Sequence, residues 1–374
     1  MSMKYITEIG DVTGKRVLVR VDCNVSLGDD NLVQDDEALR IKAVLPTLEF
    51  LRSHSARTII ISHIGREPHE TLVPIAEYMN KHLRMPVKFI PALGGELVEQ
   101  ALDNMQNGDM VMLENLRSSD GEESNDEAFA KTLASYADIY VNDAFSVSHR
   151  NHASLVGIPL YLPSFAGFHM LDEIKHLDRV RSPEHPIVVI IGGAKFETKL
   201  DLMKQLLPTA NAIIIGGALA NRIYKERGFE IGNSKIDTEG DVTSLAESEK
   251  VLLARDVITE QGKKSIQEMT SAEKILDNDI HSIPDIDSII KNAKTILWNG
   301  PFGYYEGGFV QGTQDMAHLI AESDATSIVG GGDTVVILFD EKILDKFTFV
   351  SMAGGAMLDY LIHGTLPGIE ALNK

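Results

Sequence analysis

Short runs of branched apolar residues recur along the whole chain, separated by stretches with helical spacing. In the first half they are RVLVRV (16–21), TIIIS (58–62), VKFI (87–90), DMVML (109–113) and DIYV (138–141). In the second they are IVVII (187–191), AIIIG (212–216), KVLLA (250–254), TILW (295–298), SIVG (327–330) and FTFVS (347–351). Near-continuously apolar strands belong to parallel sheets covered on both faces, and strands alternating with helices form βαβ units. The pattern predicts an α/β protein with two open parallel sheets, one per half. Proline and glycine interrupt it at GIPLYLPSFAG (157–167), FHMLDEIKHLDRV (168–180) reads as a helix, and SPEHP (182–186) resets the chain. The expected division is a domain over 1–165, a connecting helix over 166–181 and a second domain over 182–359.

Composition narrows the function. The 374 residues exceed the usual span of one core, which agrees with two domains. A formal charge of −20 argues against nucleic acid as a partner, because a phosphate backbone needs a broad basic surface. It leaves room for a small anion, which reads only the local field. Cys23 is the single cysteine, so the chain has no internal disulfide and no Cys-rich metal site. MSMKYITEIG carries no signal pattern, and no apolar run approaches the ~20 residues that span a bilayer. The expectation is a cytoplasmic protein with no membrane partner.

In open parallel sheets ligands bind at the carboxyl ends of the strands, so the residues just past each run carry the information. The first half supplies Asp22 and Asn24 in RVDCN, His63 and Arg66 in SHIGR, Arg117 in LENLR, and His149, Arg150 and His152 in HRNHAS. The second half supplies glycines: IGGAK, IGGAL, WNGPFG, GGGDT and SMAGGA. Arginine and histidine clusters grip compact anions through charge-assisted hydrogen bonds. Glycine loops that open a helix let backbone N–H groups approach phosphates. A small phosphorylated acid is expected in one half and a nucleotide in the other.

Lys195 and Lys199 fall on one face if a helix starts directly after Gly193, where they await an anion; taken alone they read as two solvated lysines. GEESNDE (121–127) reads as a solvated acidic turn opening a helix. His54, His69, His82, His176 and His318 read as ordinary surface or core residues. Neither the P-loop pattern nor G-x-G-x-x-G occurs, which counts against a nicotinamide-dependent oxidoreductase.

Taken in order, RVDCNV, RIKAVLPT, SHIGR, LENLR, GEESND, NDAF, HRNHAS, GGAKFETK, GGALAN, WNGPFGYYE, GGGDT, GGAMLDYL and LPGIEAL resemble the motifs of the phosphoglycerate kinases nearly end to end. The resemblance implies two Rossmann-like parallel-sheet domains facing each other across a cleft, joined by a hinge helix, with the tail 360–374 packed back on the first domain. It implies that Asp22, Asn24, Arg40, His63, Arg66, Arg117 and Arg150 hold 3-phosphoglycerate. Lys195 matches the lysine on the phosphoryl group in flight and Lys199 the one on nucleotide phosphates, with Arg40 as the third catalytic cation. Gly193, Asn299 and Glu306 match nucleotide contacts; Gly331, Gly332, Asp333 and Thr334 match the phosphate loop, with Asp333 as the Mg²⁺ partner. The family reaction moves the acyl phosphate of 1,3-bisphosphoglycerate to ADP, giving ATP, and its enzymes are monomers of the cytoplasm.

The chain departs from the family pattern at several places. Ser351-Met352-Ala353-Gly354-Gly355-Ala356 stands for Ser-Thr-Gly-Gly-Gly-Ala, Glu67 for a proline, Ser146 for a glycine after NDAF, and DNDIHS (277–282) for Asp-Ile-Gly-Pro. The segment after Arg66 is short, and extra residues precede Arg40. A non-catalytic homologue that binds nucleotide and phosphoacid is the alternative these changes raise.

Overall fold

A computed structural model describes residues 3–28, 30–34, 38–194 and 197–373, with the side chains of 197 and 198 left aside. Its residues divide into two units, Met1–Ile174 with Thr365–Lys374, and Lys175–Gly364. The division falls inside the helix Phe168–Arg181.

The first unit is built on six strands: β1 (Arg16–Val21), β2 (Arg57–Ile61), β3 (Val87–Ile90), β4 (Met110–Leu113), β5 (Ile139–Asp143) and β6 (Ser164–Ala166). They lie in the order β3-β4-β2-β1-β5-β6, and every pair is parallel. The chain leaves β1 for β2 on one side, and β5 returns on the other, with Val21 opposite Asp143. Such a reversal of direction opens a crevice at the carboxyl ends of the two strands.

The second unit continues with β7 (Ile187–Ile191), β8 (Ala212–Ile215), β9 (Val251–Leu252), β10 (Asp256–Thr259), β11 (Gly262–Ser265), β12 (Asp277–Asn278), β13 (Thr295–Asn299), β14 (Thr326–Gly330) and β15 (Phe349–Ser351). Six of these form a parallel sheet in the order β15-β14-β13-β7-β8-β9, the doubly wound arrangement whose reversal lies between its first and fourth strands, here β7 and β13. All five residues of β7 and of β13 are buried. Each fully buried Val, Leu or Ile contributes roughly 1.5–3 kcal/mol, which is why these runs were so plain in the sequence.

The remaining strands form a small antiparallel sheet, β11-β10-β12, absent from the sequence reading. Two of its strands are only partly covered: β10 alternates partly buried and buried positions, and β11 is Gly-Lys-Lys-Ser. Neither shows the continuous apolar run that marks the large sheets. β6 was missed because it is three residues long and flanked by proline and glycine. The run at 250–254 yields only Val251–Leu252 as strand.

The helix Phe168–Arg181 matches the predicted one within a residue. Its first N–H groups are held by the Thr47 hydroxyl, 2.9 Å from the Phe168 N, and by Asp143 Oδ1, 3.0 Å from the Met170 N. The return to the first unit begins at Thr365, five residues later than the tail expected from 360. Residues 360–364 stay with the second unit because the Tyr360 hydroxyl donates to Asp178 (2.9 Å) and Gln205 Nε2 to the Ile362 carbonyl (3.1 Å). Beyond them, the Gly368 N–H donates to the Ser148 carbonyl at 2.8 Å. Among the described residues no helix is long and apolar enough to cross a membrane.

Candidate functional site

The carboxyl ends of β1 and β5 carry a buried polar cluster centred on Asp22. Its Oδ2 accepts Arg40 Nη1 at 3.0 Å and the Ser146 hydroxyl, while Oδ1 accepts the Asn24 N–H at 3.1 Å. Burial works against the charged form, but Arg40, the Ser146 hydroxyl and Arg20 outweigh it and hold the carboxyl far below its ordinary range. Asp22 is therefore an anion at any physiological pH.

His63 follows β2 and stands with Nδ1 3.1 Å from Arg20 Nη2. A guanidinium can only donate, so Nδ1 accepts and the ring proton resides on Nε2. Burial, reinforced by Arg20, pushes the imidazole well below its usual pKa. His63 is a neutral donor of fixed tautomer, which suits positioning rather than proton transfer.

Arg20 is the residue the sequence reading passed over. It lies inside β1 and is 1% exposed. Its Nε donates to the Ser154 hydroxyl at 3.0 Å and its Nη1 to the Val21 carbonyl at 2.6 Å. Ser154 in turn donates from Oγ and N to Glu122, at 2.6 and 2.9 Å. Glu122 is 1% exposed, so the expectation of a solvated acidic turn over 121–127 is corrected at this position: its carboxylate anchors Ser154, the hydroxyl partner of Arg20. The signal for Arg20 was present, since a cation inside a strand covered on both faces needs buried partners.

Asn24, Arg66, Arg117 and Arg150 line one cavity of about 1030 Å³, together with Glu70 and Glu123. Asn24 Oδ1 accepts the Gly65 N–H at 2.8 Å, and Arg117 Nη1 donates to the Gly65 carbonyl, fixing the loop after β2. The Arg66 N–H is taken by Glu70 at 2.6 Å, leaving its exposed side chain at the rim. Arg117 Nε pairs with Glu123 at 3.0 Å. The seven first-half candidates thus form two groups, the cavity set and a second set of the buried Asp22 and His63 with the partly exposed Arg40, joined through Asn24.

In the second unit the glycines after β7 and β13 interlock. The Gly192 N–H donates to the Asn299 carbonyl (2.9 Å) and the Gly193 N–H to the Pro301 carbonyl (2.7 Å). A Cβ on Gly192 would collide with the carbonyls of Gly300 and Pro301, and Gly193 has φ +85°, a conformation that favours glycine. The described helix after this loop begins at Glu197, and Lys195 lies outside the described residues. Lys199 is buried, not a solvated helix lysine: its Nζ donates to the Gly192 carbonyl at 2.7 Å and reaches the Asn299 carbonyl at 3.5 Å.

Gly193, Glu306 and Asp333 line a second cavity, about 290 Å³, with Gly217, Phe302 and Tyr304. Gly331 (φ +103°) caps the helix Gly332–Asp340, which places the backbone N–H groups of Gly332, Asp333 and Thr334 in its first turn. Those groups have no partner inside the helix. Thr334 is buried with its hydroxyl unpartnered, and Asp333 is exposed at the cavity wall. Asn299 is buried behind the loop, its carbonyl already engaged by Gly192. Among the described residues no group of three or more His, Cys, Asp or Glu could hold a metal ion. The Asp333 carboxylate in the first turn of that helix does fit Mg²⁺ that arrives on nucleotide phosphates, since this ion commonly takes one or two protein carboxylates and completes its shell with phosphate and water.

Two doubly wound parallel sheets define a two-unit α/β protein, with a cavity beside the strand ends of each unit. The comparisons with known proteins agree. A family profile described as phosphoglycerate kinase matches residues 6–363. The phosphoglycerate kinase of Borrelia hermsii is 40% identical over 396 aligned positions, covering all of both chains, and that of Coprothermobacter proteolyticus is 38% identical, covering 100% of this chain and 99% of the relative. Among solved structures, phosphoglycerate kinase from Coxiella burnetii superposes with a TM-score of 0.83 at 32% identity, covering 99% of each chain. The Pyrococcus horikoshii OT3 enzyme gives 0.87 at 28% identity, covering 99% of this chain and 98% of the other. The chain belongs to the phosphoglycerate kinase family, and it is a kinase of glycolysis.

Proposed function

We propose that this chain transfers the acyl phosphate of 1,3-bisphosphoglycerate to MgADP, reversibly, giving 3-phosphoglycerate and ATP. The observation that carries the reading is the pairing of a cation-lined cavity in one unit with a glycine-walled cavity beside a helix N-terminus in the other. On this reading Arg66, Arg117, Arg150, Asn24, Arg40, Asp22 and His63 hold the phosphoacid. Gly193, Glu306, Asn299, Lys199 and the turn Gly331–Thr334 serve the nucleotide, and Lys195 with Arg40 neutralises the phosphoryl group in transit.

The nucleophile is an oxygen of the ADP β-phosphate, already ionised near neutral pH. It forms a bond to the acyl phosphorus as the bond to the carboxyl oxygen breaks, and the carboxylate departs with its electron pair. No proton moves, so no general base is needed, consistent with a neutral His63. The residues' work is positioning and charge neutralisation. Asp333 would hold the Mg²⁺ brought by the nucleotide, which supplies further neutralisation of phosphate charge. Donor and acceptor must meet at about 3–3.5 Å, so hinge bending belongs to the proposal, as do the family's monomeric state and cytoplasmic setting.

A coupled assay with ATP and 3-phosphoglycerate tests this reading. Turnover requiring both substrates and Mg²⁺ is expected. Tight binding of both ligands without turnover would instead identify a non-catalytic homologue.

A further inference from the structure

Ser146 stands where the family pattern has glycine, and its side chain reaches the centre of the first unit's site. It sits in the single turn Phe145–Val147 that follows β5, across the strand reversal from Asp22. Its hydroxyl donates to Asp22 Oδ2, the oxygen that also accepts Arg40 Nη1. Ser146 and Asp22 are both nearly sealed from solvent, at 8% and 5% exposure. Arg40 is more open, with 30% of its side chain exposed.

The rotation of an aspartate carboxylate about its terminal bond is soft. Held by one half-exposed arginine and one loop N–H, the group could swing and carry Arg40 with it. A buried hydroxyl on a short packed turn removes that freedom. A glycine here would offer no such donor, so the serine is what fixes the carboxylate from this side. We infer that Ser146 is a positioning residue of the phosphoacid site: by donating to Asp22 it sets the carboxylate plane that presents Oδ2 to Arg40. This inference rests on the proposed function only for the identity of the ligand.

The test is a double-mutant cycle between Ser146→Ala and Asp22→Asn, read by steady-state kinetics, with ligand-free crystal structures of wild type and S146A. A hydrogen bond to a charged group is worth roughly tenfold or more in an equilibrium. S146A should raise KM for 3-phosphoglycerate about five- to tenfold while kcat and KM for ATP change less than twofold. In the D22N background the same substitution should add less than twofold, because its partner is already altered. Independent, multiplicative effects of the two changes would overturn the inference, since a merely structural serine acts regardless of Asp22. The crystals decide separately from the substrate. A rotated Asp22 carboxylate that has lost its 3.0 Å contact with Arg40 supports the role, even if wild type fails to use 3-phosphoglycerate and the proposed function falls. An unmoved Asp22 refutes the role.

Discussion

The two strand reversals make an instructive pair. Both lie beside a sheet's first strand, β1 in one unit and β7 in the other, and both pair it in parallel with a strand that comes later in the chain. At the first, β1 and β5 end in side chains: Asp22, Ser146 and, behind them, Arg20 with Ser154 and Glu122. At the second, β7 and β13 run into glycine loops, the Gly192 and Gly193 amides donating to the Asn299 and Pro301 carbonyls, with Trp298 Nε1 donating to the Gly300 carbonyl at 3.0 Å and Lys199 fastened to the Gly192 carbonyl. One end is built of charge and must balance buried ions. The other is built of close backbone approaches and must exclude side chains. The same topology therefore fails in different ways when it is altered.

The largest effect is expected where buried polar groups lose their donor. Arg20→Ala takes a donor from the Ser154 hydroxyl, the Val21 carbonyl and His63 Nδ1 and empties a buried site, and each buried group left unsatisfied costs about 1–3 kcal/mol. Chemical denaturation should show that loss; a change below about 1 kcal/mol would mean that the network is not what holds the β1–β5 end together. Next comes Arg40→Ala, which removes a cation at Asp22 without emptying the core. Its kcat/KM for 3-phosphoglycerate should fall about 10²-fold, about 2.7 kcal/mol of barrier, with KM for ATP nearly unchanged. An equal loss for both substrates would blur the contrast between the two ends.

At the glycine end, Gly192→Ala forces a methyl against two backbone carbonyls. Overpacking of this kind costs about 1–3 kcal/mol, and calorimetry should find ADP affinity reduced while 3-phosphoglycerate affinity is kept. The last effect is a slope. Burial raises the Asp143 carboxyl to about 7, against 3.8 in an open chain. The folded state then keeps a proton that the unfolded state releases, so this group's contribution to stability falls as pH rises from about 4 to 7. His63 acts in the opposite sense, because the unfolded state takes up a proton below 6.5 that the folded state refuses. Asp143→Asn should remove only the first contribution, so its stability should rise more steeply with pH than wild type across that window. Identical pH profiles would place the proton elsewhere.

What the sequence made legible follows from the same contrast. Runs such as Ile187–Ile191 and Met110–Leu113 coincide with strands because full burial writes itself as unbroken apolar residues. Arg66, Arg117 and Arg150 were legible as candidates because cations after strands are conspicuous, and the fold gathers them on one cavity. Partners were not legible. Nothing in GEESNDE says that Glu122 turns inward to Ser154 while Asp126 caps the next helix by accepting the Phe129 N–H at 2.7 Å. Lys199 was legible as an anion-site candidate from the glycines before it, but spacing gives only a helical face and not its burial against the Gly192 carbonyl. The antiparallel sheet of β10, β11 and β12 escaped for want of a strong pattern: two of its strands are polar or two residues long.

The discontinuity of the first unit has a consequence for how the chain is made. Residues from Thr365 onward complete that unit, with the Gly368 amide seated on the Ser148 carbonyl and Ile369 and Leu372 buried. A ribosome delivers the entire second unit before it delivers these residues. The half that begins synthesis first is thus the half finished last, and its closing contacts must wait for almost two hundred intervening residues to emerge.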